Sequence, residues 1–328
     1  MKPYPFDLLR AAEGGEDIDQ ALAERPFTDF QDSLRESAPY YKPSPELETA
    51  IHTAIAVGSP LLLTGDSGTG KTQAAYYTAW RLGLEWPLEF QVRSTSQGRD
   101  LLYSFDSVRY FRDAWVAGLG RTSGEALAPA LDKWSYIQPG RLWQAIATKD
   151  RQPHARVKIL LIDEIDKAPK DFPNDLLLEL DELRFTVEEI ETDNEVSTNK
   201  ELRPIVFITS NSERRLPEPF LRRCVYHHIT FTPDTLKAAV AQRIRQGQLP
   251  ALAAEGSEKF LAESRTQFME VRSLARRKLP STGEYLTWLQ LLLARFGPDV
   301  TKLRVKVGEL PLLELLIKDR DDWKLVRP

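Results

Sequence analysis

Hydrophobic residues in this chain form short apolar runs separated by stretches of helical period. The first such stretch lies between Ser44, a capping residue, and Gly58, a terminating one, and has apolar side chains three and four positions apart. It predicts an amphipathic helix. The apolar runs typical of buried strands are 60–63, 88–92, 157–162, 204–209 and 225–231. Because helical segments separate these runs, we predict an α/β fold with a parallel five-stranded sheet.

The hydrophobic pattern after the last run is purely helical. Asp234 is predicted to cap a helix that Gly247 ends, and 258–274 forms a second helical stretch. The capping box that starts at Ser281 opens a third helix, which Gly297 ends. The tail through 312–316 is expected to pack on these helices. We therefore divide the chain into an N-terminal accessory segment, 1–36, an α/β core, 37–232, and an all-helical lid with the tail, 233–328.

Two parts of the core depart from the strand and helix alternation. The aromatic, mixed-charge segment 93–156 fits either a solvent-facing insertion or a loop that contacts a partner or substrate. A turn-rich stretch predicts a β-hairpin at 184–203. Tyr40 and Tyr41, ahead of the first helix, either close over a nucleotide base or pack the start of the core.

A glycine-rich loop follows the first apolar run and fits the pattern G-x-x-x-x-G-K-[ST]. Its residues are Gly65, Asp66, Ser67, Gly68, Thr69, Gly70, Lys71 and Thr72. Glycines let backbone N–H groups surround phosphates, the lysine neutralises the β and γ oxygens, and the threonine hydroxyl is a ligand for Mg²⁺. The loop predicts a nucleoside-triphosphate site.

The third apolar run ends in two carboxylates, Asp163 and Glu164. At the carboxyl end of a buried parallel strand, the aspartate can hold Mg²⁺ through water and the glutamate can polarise the attacking water. We interpret Asp166 and Lys167 as the solvated start of the next loop.

Asn211 follows the fourth run, where an amide would face the γ-phosphate, although such a residue alone is typical of a turn.

Composition excludes several classes of protein. The formal net charge of −4 disfavours a nucleic-acid coating protein, although a local basic face stays open. No apolar run approaches the ~20 residues of a membrane span, and the N-terminus has no signal-peptide core, so we expect a cytoplasmic protein without a membrane partner. Cys224 has no accompanying His/Asp set for a nucleophile, and the four histidines lack metal-ligand spacing.

Together the motifs resemble an AAA+ ATPase of the MoxR branch. The resemblance rests on GDSGTGKT, ILLIDEIDK, FPNDLLLELDELRF, RPIVFITSN and LPEPFLRRC, and it covers about 41–296. It implies that 65–72 is Walker A, that Asp163 and Glu164 are Walker B, and that Asn211 is sensor 1. It also implies an arginine finger, acting on the neighbouring subunit, at Arg223 or, as the second choice, Arg222. The structural alternative to a finger is an arginine that pairs with a local carboxylate such as Glu218.

The sequence departs from the family pattern at sensor 2. Many relatives have an arginine at the start of the third lid helix, where this chain has Gly283. Arg276 or Arg277 could substitute, while the basic run 272–278 is otherwise typical of a solvated helix face.

The resulting hypothesis is an ATPase that uses ATP and Mg²⁺, forms a homo-oligomeric ring, expected to be a hexamer, and remodels a protein partner in a chaperone-like role. The resemblance implies a von Willebrand factor A domain protein as that partner. The alternatives are a nucleic-acid motor subunit of a restriction or defence system and a nucleotide-dependent assembly switch with little turnover, against which the intact Glu164 argues. A GTPase is disfavoured because Asn199 and Lys200 are not followed by the guanine-reading aspartate.

Overall fold

The computed structural model describes residues 34–119, 131–146, 156–198, 202–211, 214–252 and 257–327. These residues form two compact units. The first, here called the α/β unit, comprises Pro43–Gly65 and Lys71–Ile229; the second, the helical unit, comprises the described parts of Met1–Lys42, Asp66–Gly70 and Thr230–Pro328. The predicted accessory segment 1–36 lies outside the described residues except for its last three.

A parallel five-stranded sheet forms the centre of the α/β unit. The strands of this unit are β1 (Leu61–Thr64), β2 (Leu88–Gln91), β3 (Tyr103–Phe105), β4 (Ile137–Pro139), β5 (Ile159–Asp163), β6 (Arg184–Thr186), β7 (Glu195–Ser197), β8 (Ile205–Ser210) and β9 (Val225–His228). The central sheet has the order β2-β5-β8-β1-β9, and every neighbouring pair is parallel. Strands β1 and β5 are buried along their whole length, as their continuous apolar sequences predict.

The helices of the α/β unit cover and connect these strands. They are α2 (Pro45–Val57), α3 (Lys71–Leu82), α4 (Gly98–Leu102), α5 (Ser107–Leu119), α6 (Arg141–Ile146), α7 (Phe172–Asp175), α8 (Leu177–Glu182) and α9 (Glu218–Leu221), after the short α1 (Leu34–Ser37) of the helical unit. The ends of α2 follow the sequence: the Ser44 hydroxyl accepts from the Leu47 N–H at 3.2 Å, and Gly58 ends the helix with φ 73°. Helix α3 packs on β5 and β8, and α6 packs on β2 and β5.

Two small antiparallel sheets extend the α/β unit. Strands β3 and β4 pair within the segment predicted as an insertion, and β6 pairs with β7 where the turn-rich stretch predicts a hairpin. Helix α5, which the sequence pattern did not predict, is held beside the β3–β4 pair. Tyr110 of α5 lies 5.4 Å from Tyr136 between ring centroids, and the Tyr136 hydroxyl donates to Asp113 at 3.1 Å.

The helical unit contains four longer helices around its own apolar core. They are α10 (Pro233–Arg245), α11 (Ser257–Leu274), α12 (Thr282–Phe296) and α13 (Arg320–Val326). The core includes Trp288 and, from the tail, Leu313 and Leu316, all buried. The predicted cap of α10 is wrong by two positions: Thr232 is the N-cap and accepts from Thr235, because Pro233 occupies the first helical turn and Asp234 lies inside it.

The tail is also fixed to this unit by one buried carboxylate. Asp322 of α13 accepts hydrogen bonds from three consecutive backbone N–H groups, those of Arg276, Arg277 and Lys278, at 2.8–3.1 Å. Burial opposes the charge of this carboxyl, but the three donors outweigh it and lower its pKa.

Among the described residues, no helix is both long enough and apolar enough to cross a membrane.

Candidate nucleotide site

The predicted phosphate loop connects the end of β1 to the start of α3. Gly68 and Gly70 have φ of 77° and 90°, a left-handed backbone that other residues rarely adopt. The buried Lys71 opens α3, and its ammonium donates to the Gly65 carbonyl at 2.8 Å. The loop therefore has the curled backbone and the positioned cation that a phosphate site requires.

Tyr41 lies against this loop within the helical unit. A Cβ placed on Gly70 would lie 2.8 Å from the Tyr41 ring, and one placed on Gly68 would lie 3.1 Å from the Ser281 side chain. A side chain at either position would need its neighbour to move. The close approach of Tyr41 and Ser281 thus adds a second reason for glycine at these two positions.

The predicted Walker A threonine and the predicted Walker B aspartate are hydrogen-bonded to each other. Thr72 Oγ1 donates to Asp163 Oδ1 at 2.9 Å, and Thr209 Oγ1 of β8 donates to the same oxygen at 2.6 Å. Mg²⁺ prefers oxygen ligands and keeps several of its waters. A hydroxyl and a carboxylate at this spacing therefore fit a magnesium ion, which Thr72 and Asp163 would hold.

Glu164 has an unusual backbone conformation and a full set of side-chain partners. Its φ is 59°, in the left-handed region, and its N–H donates to Thr209 Oγ1 at 2.9 Å. The carboxylate accepts from the Asn211 amide at 3.1 Å, from the Gln91 amide at 2.7 Å and from the Lys167 ammonium. The structure thus brings the predicted base, Glu164, and the predicted sensor, Asn211, into direct contact.

The two candidate finger arginines contact other residues of the α/β unit. Arg223 donates to the carboxylate of Asp181 and to the Pro219 carbonyl, and Arg222 donates to Glu218 at 3.2 Å. The hydrogen bonds described for these two arginines go to these residues and not to the Walker residues. Both side chains are solvent-exposed, and each pairs with a carboxylate of its own chain, which is the structural alternative that the sequence raised.

The segment 60–224, half of the chain, matches the family of the AAA domain (dynein-related subfamily). The chain belongs to this AAA family. The dynein-related subfamily includes MoxR-like ATPases, so the match confirms the predicted resemblance, and an AAA domain implies nucleotide binding and ATPase activity in general.

Individual proteins are also similar to this AAA protein. Protein CbbQ of Allochromatium vinosum is 38% identical over 50 residues, which are 15% of this chain and 68% of that sequence. A crystal structure of a putative ATPase from Cytophaga hutchinsonii is similar at 12% identity, with a TM-score of 0.40 over 88% of this chain and 84% of that one.

Four residues of the AAA site were not predicted as part of it. Asp166 was expected in a solvated loop, but it is buried and accepts from the Asn211 N–H at 3.2 Å, and Lys167 contacts Glu164. Gln91 and Thr209 also contact the Walker B residues. Gln91 ends β2 and Thr209 lies near the end of β8, so the rule that parallel strand ends share one edge could have indicated both.

The basic run 272–278 also differs from the prediction of a solvated face. Arg276 and Arg277 are exposed, but Arg272 is buried, since its side chain is only 8% accessible. Within the helical unit it contacts the carboxylate of Asp66 and the Pro280 carbonyl. Gly283, at the sensor 2 position, lies in the first turn of α12.

Cys224 is not a candidate nucleophile in this site. Burial, with the nearby Asp181 carboxylate as a second cause, raises the pKa of its thiol to about 12. A thiol with this pKa is protonated near neutral pH, whereas the thiolate is the nucleophile.

Proposed function

We propose that this AAA protein is a Mg²⁺-dependent ATPase that assembles head to tail into a ring, a hexamer by family resemblance, and remodels a protein partner. The observation that carries the catalytic part is the convergence of Thr72, Asp163, Glu164 and Asn211 through direct hydrogen bonds. Their order along the chain and the family match support the same conclusion.

The chemistry follows from the positions of these side chains. Lys71 and the N–H groups of the loop neutralise the phosphate oxygens. Glu164 accepts a proton from a water molecule as that water attacks the γ-phosphorus, the bond to the β–γ bridging oxygen breaks, and ADP and phosphate leave. Asn211 orients Glu164 and the water. Thr72 and Asp163 would hold Mg²⁺, which would supply further charge neutralisation at the phosphates.

The ring part of the proposal rests on Arg223. Its side chain is exposed and close to the end of the α/β unit, so it is available to a neighbouring copy. A guanidinium beside the γ-phosphate stabilises the charge that develops in the transition state. A head-to-tail contact that supplies this group closes into a ring when its rotation permits.

A protein partner is favoured by the exposed face of α5. Val108, Phe111, Trp115 and Val116 are each more than half exposed and lie on one side of this helix. The other side is held by Tyr110 and Asp113. Contiguous exposed apolar side chains mark protein contacts, and nothing in the net charge of −4 favours nucleic acid. The MoxR resemblance adds a von Willebrand factor A domain protein as the partner class.

The test of the catalytic proposal compares two substitutions. Lys71→Ala should abolish ATP binding because it removes phosphate neutralisation, while Glu164→Gln should retain binding and lose turnover because only the proton acceptor is changed. Titration with a fluorescent ATP analogue and a phosphate-release assay measure the two effects. If Glu164→Gln lost binding as completely as Lys71→Ala, the assignment of Glu164 as the base would be wrong.

A further inference from the structure

The contacts of Arg272 within the helical unit are unusual for a residue of a charged run. Its guanidinium contacts the Asp66 carboxylate, donates to the Pro280 carbonyl and lies 4.0 Å from the centre of the Phe231 ring. Only 8% of the side chain is accessible, compared with 47% for Asp66. Three neighbours from different parts of the unit thus fix one buried cation against the phosphate loop.

Asp66 presents an electrostatic problem for nucleotide binding. It is the second residue of the loop Gly65–Thr72, which must accept a polyphosphate of several negative charges. A carboxylate in such a loop repels the ligand that the loop's N–H groups and Lys71 attract. A fixed positive charge beside the carboxylate would cancel this repulsion.

We propose that Arg272 is a positioning residue for nucleotide binding, which acts by neutralising and holding the Asp66 carboxylate in the phosphate loop. The proposal rests on nucleotide binding at this loop. In this proposal Arg272 affects nucleotide binding through Asp66 and does not contact the phosphates itself. The loop's affinity for ATP is then set by a side chain about 200 residues away along the chain.

A double-mutant cycle on the full chain tests this coupling. ATP affinity is measured by competition against a fluorescent ATP analogue for wild type, Arg272→Met, Asp66→Asn and the double variant. Arg272→Met should weaken ATP binding at least tenfold, about 1.4 kcal/mol, because the Asp66 carboxylate then lacks the buried cation that contacts it. Asp66→Asn should bind as tightly as wild type or more tightly. The double variant should bind within about threefold of Asp66→Asn.

Several outcomes would overturn the proposal. A double variant as weak as Arg272→Met would mean that Arg272 contacts the phosphates directly or only supports the fold. Arg272→Met with wild-type affinity would remove any role in binding. If Arg272→Met does not fold, the Asp66→Asn variant still tests the proposal. A tenfold loss of ATP affinity in that variant would show that the Asp66 carboxylate assists binding, which would contradict the proposal.

Two further variants separate charge from packing. Arg272→Lys keeps the charge but not the planar fork, so its affinity should lie between those of wild type and Arg272→Met. Arg304→Met removes an exposed arginine of the same unit that pairs with Glu263 at 3.8 Å, and it should bind ATP as wild type does. Wild type that fails to bind ATP would overturn the proposed function itself. Binding by wild type but not Lys71→Ala, without coupling in the cycle, would overturn only the role of Arg272.

Discussion

The backbone of Glu164 is strained, and its neighbours hold it in that state. A non-glycine residue at φ 59° costs on the order of 1–3 kcal/mol and persists only where the surroundings fix it. Here the Thr209 hydroxyl accepts from the Glu164 N–H at 2.9 Å and donates to Asp163 at 2.6 Å. One hydroxyl of β8 therefore holds the Asp163 carboxylate and the Glu164 backbone.

This arrangement predicts a catalytic effect of Thr209→Val. The change keeps the shape of the side chain but leaves the Glu164 N–H without its acceptor and Asp163 with only one of its two donors, Thr72, a loss of about 1–3 kcal/mol. We expect kcat for ATP hydrolysis to fall roughly tenfold or more while KM changes little, because the loss concerns the groups that act on the attacking water. Steady-state phosphate release measures both constants.

The matched control for Thr209→Val is Thr78→Val. Thr78 is also a buried threonine of the α/β unit, but its hydroxyl donates to the Ala74 carbonyl within α3 at 2.8 Å. It should lower stability without a comparable change in kcat. Equal losses of kcat in the two variants would show that the effect of Thr209→Val comes from general destabilisation.

Individual residues of the site were predictable where one local pattern contains them. Lys71 and Thr72 come from a contiguous motif, and Asp163 and Glu164 from the end of a buried strand. Asp166 and Arg272 were not predictable, because both lie in locally charged stretches and their partners are 45 and 206 residues away. Nothing in a local charge pattern shows that one of its members will be buried against a distant group.

The spacing of apolar residues predicts a whole strand or helix correctly when the apolar face of that element is buried. Strands β1, β5 and β8 and helices α2, α10, α11 and α12 satisfy this condition, whereas the edge strands β2 and β9 are only partly buried. Helix α5 does not satisfy it, because its large apolar side chains, Phe111 and Trp115, are exposed and its inner face uses Tyr110 and Asp113. A pattern search that assigns apolar residues to the core therefore fails at this helix.

The exposed face of α5 predicts binding of an acidic, apolar protein segment. Arg109 and Arg112 lie on this helix with mostly exposed side chains and share one carboxylate, Asp113, so a net charge of about +1 remains beside the apolar residues. We expect the double change Phe111→Ser and Trp115→Ser to weaken binding of casein, an unfolded acidic protein, at least tenfold. Fluorescence anisotropy of labelled casein in the presence of ATP measures the affinity.

The control for this surface is an equally exposed apolar residue elsewhere on the α/β unit. Val57, at the end of α2, meets this requirement, and Val57→Ser should bind casein as wild type does. The same loss in both variants, or no casein binding by wild type, would contradict a role of α5 in partner binding.

At the scale of the whole molecule, the central question is whether one chain contains a complete catalytic site. Arg223 contacts Asp181 and Pro219 of its own α/β unit, and its side chain stays accessible. If it acts on a neighbouring copy, Arg223→Ala should retain ATP binding and lose hydrolysis by up to ~10³–10⁵, the range for a finger supplied from outside the site. Arg222→Ala, measured in parallel, decides between the two candidate arginines.

Mixing two inactive variants tests the shared site directly. Each Arg223→Ala subunit keeps an intact nucleotide loop, and each Lys71→Ala subunit keeps an intact arginine. In a random equal mixture, about a quarter of head-to-tail contacts should pair an intact loop with an intact arginine, so part of the ATPase activity should return. Subunit exchange is verified first, by energy transfer between differently labelled chains. If exchange occurs and the mixture stays as inactive as its components, Arg223 does not act across a subunit contact, and the ring mechanism loses its catalytic basis.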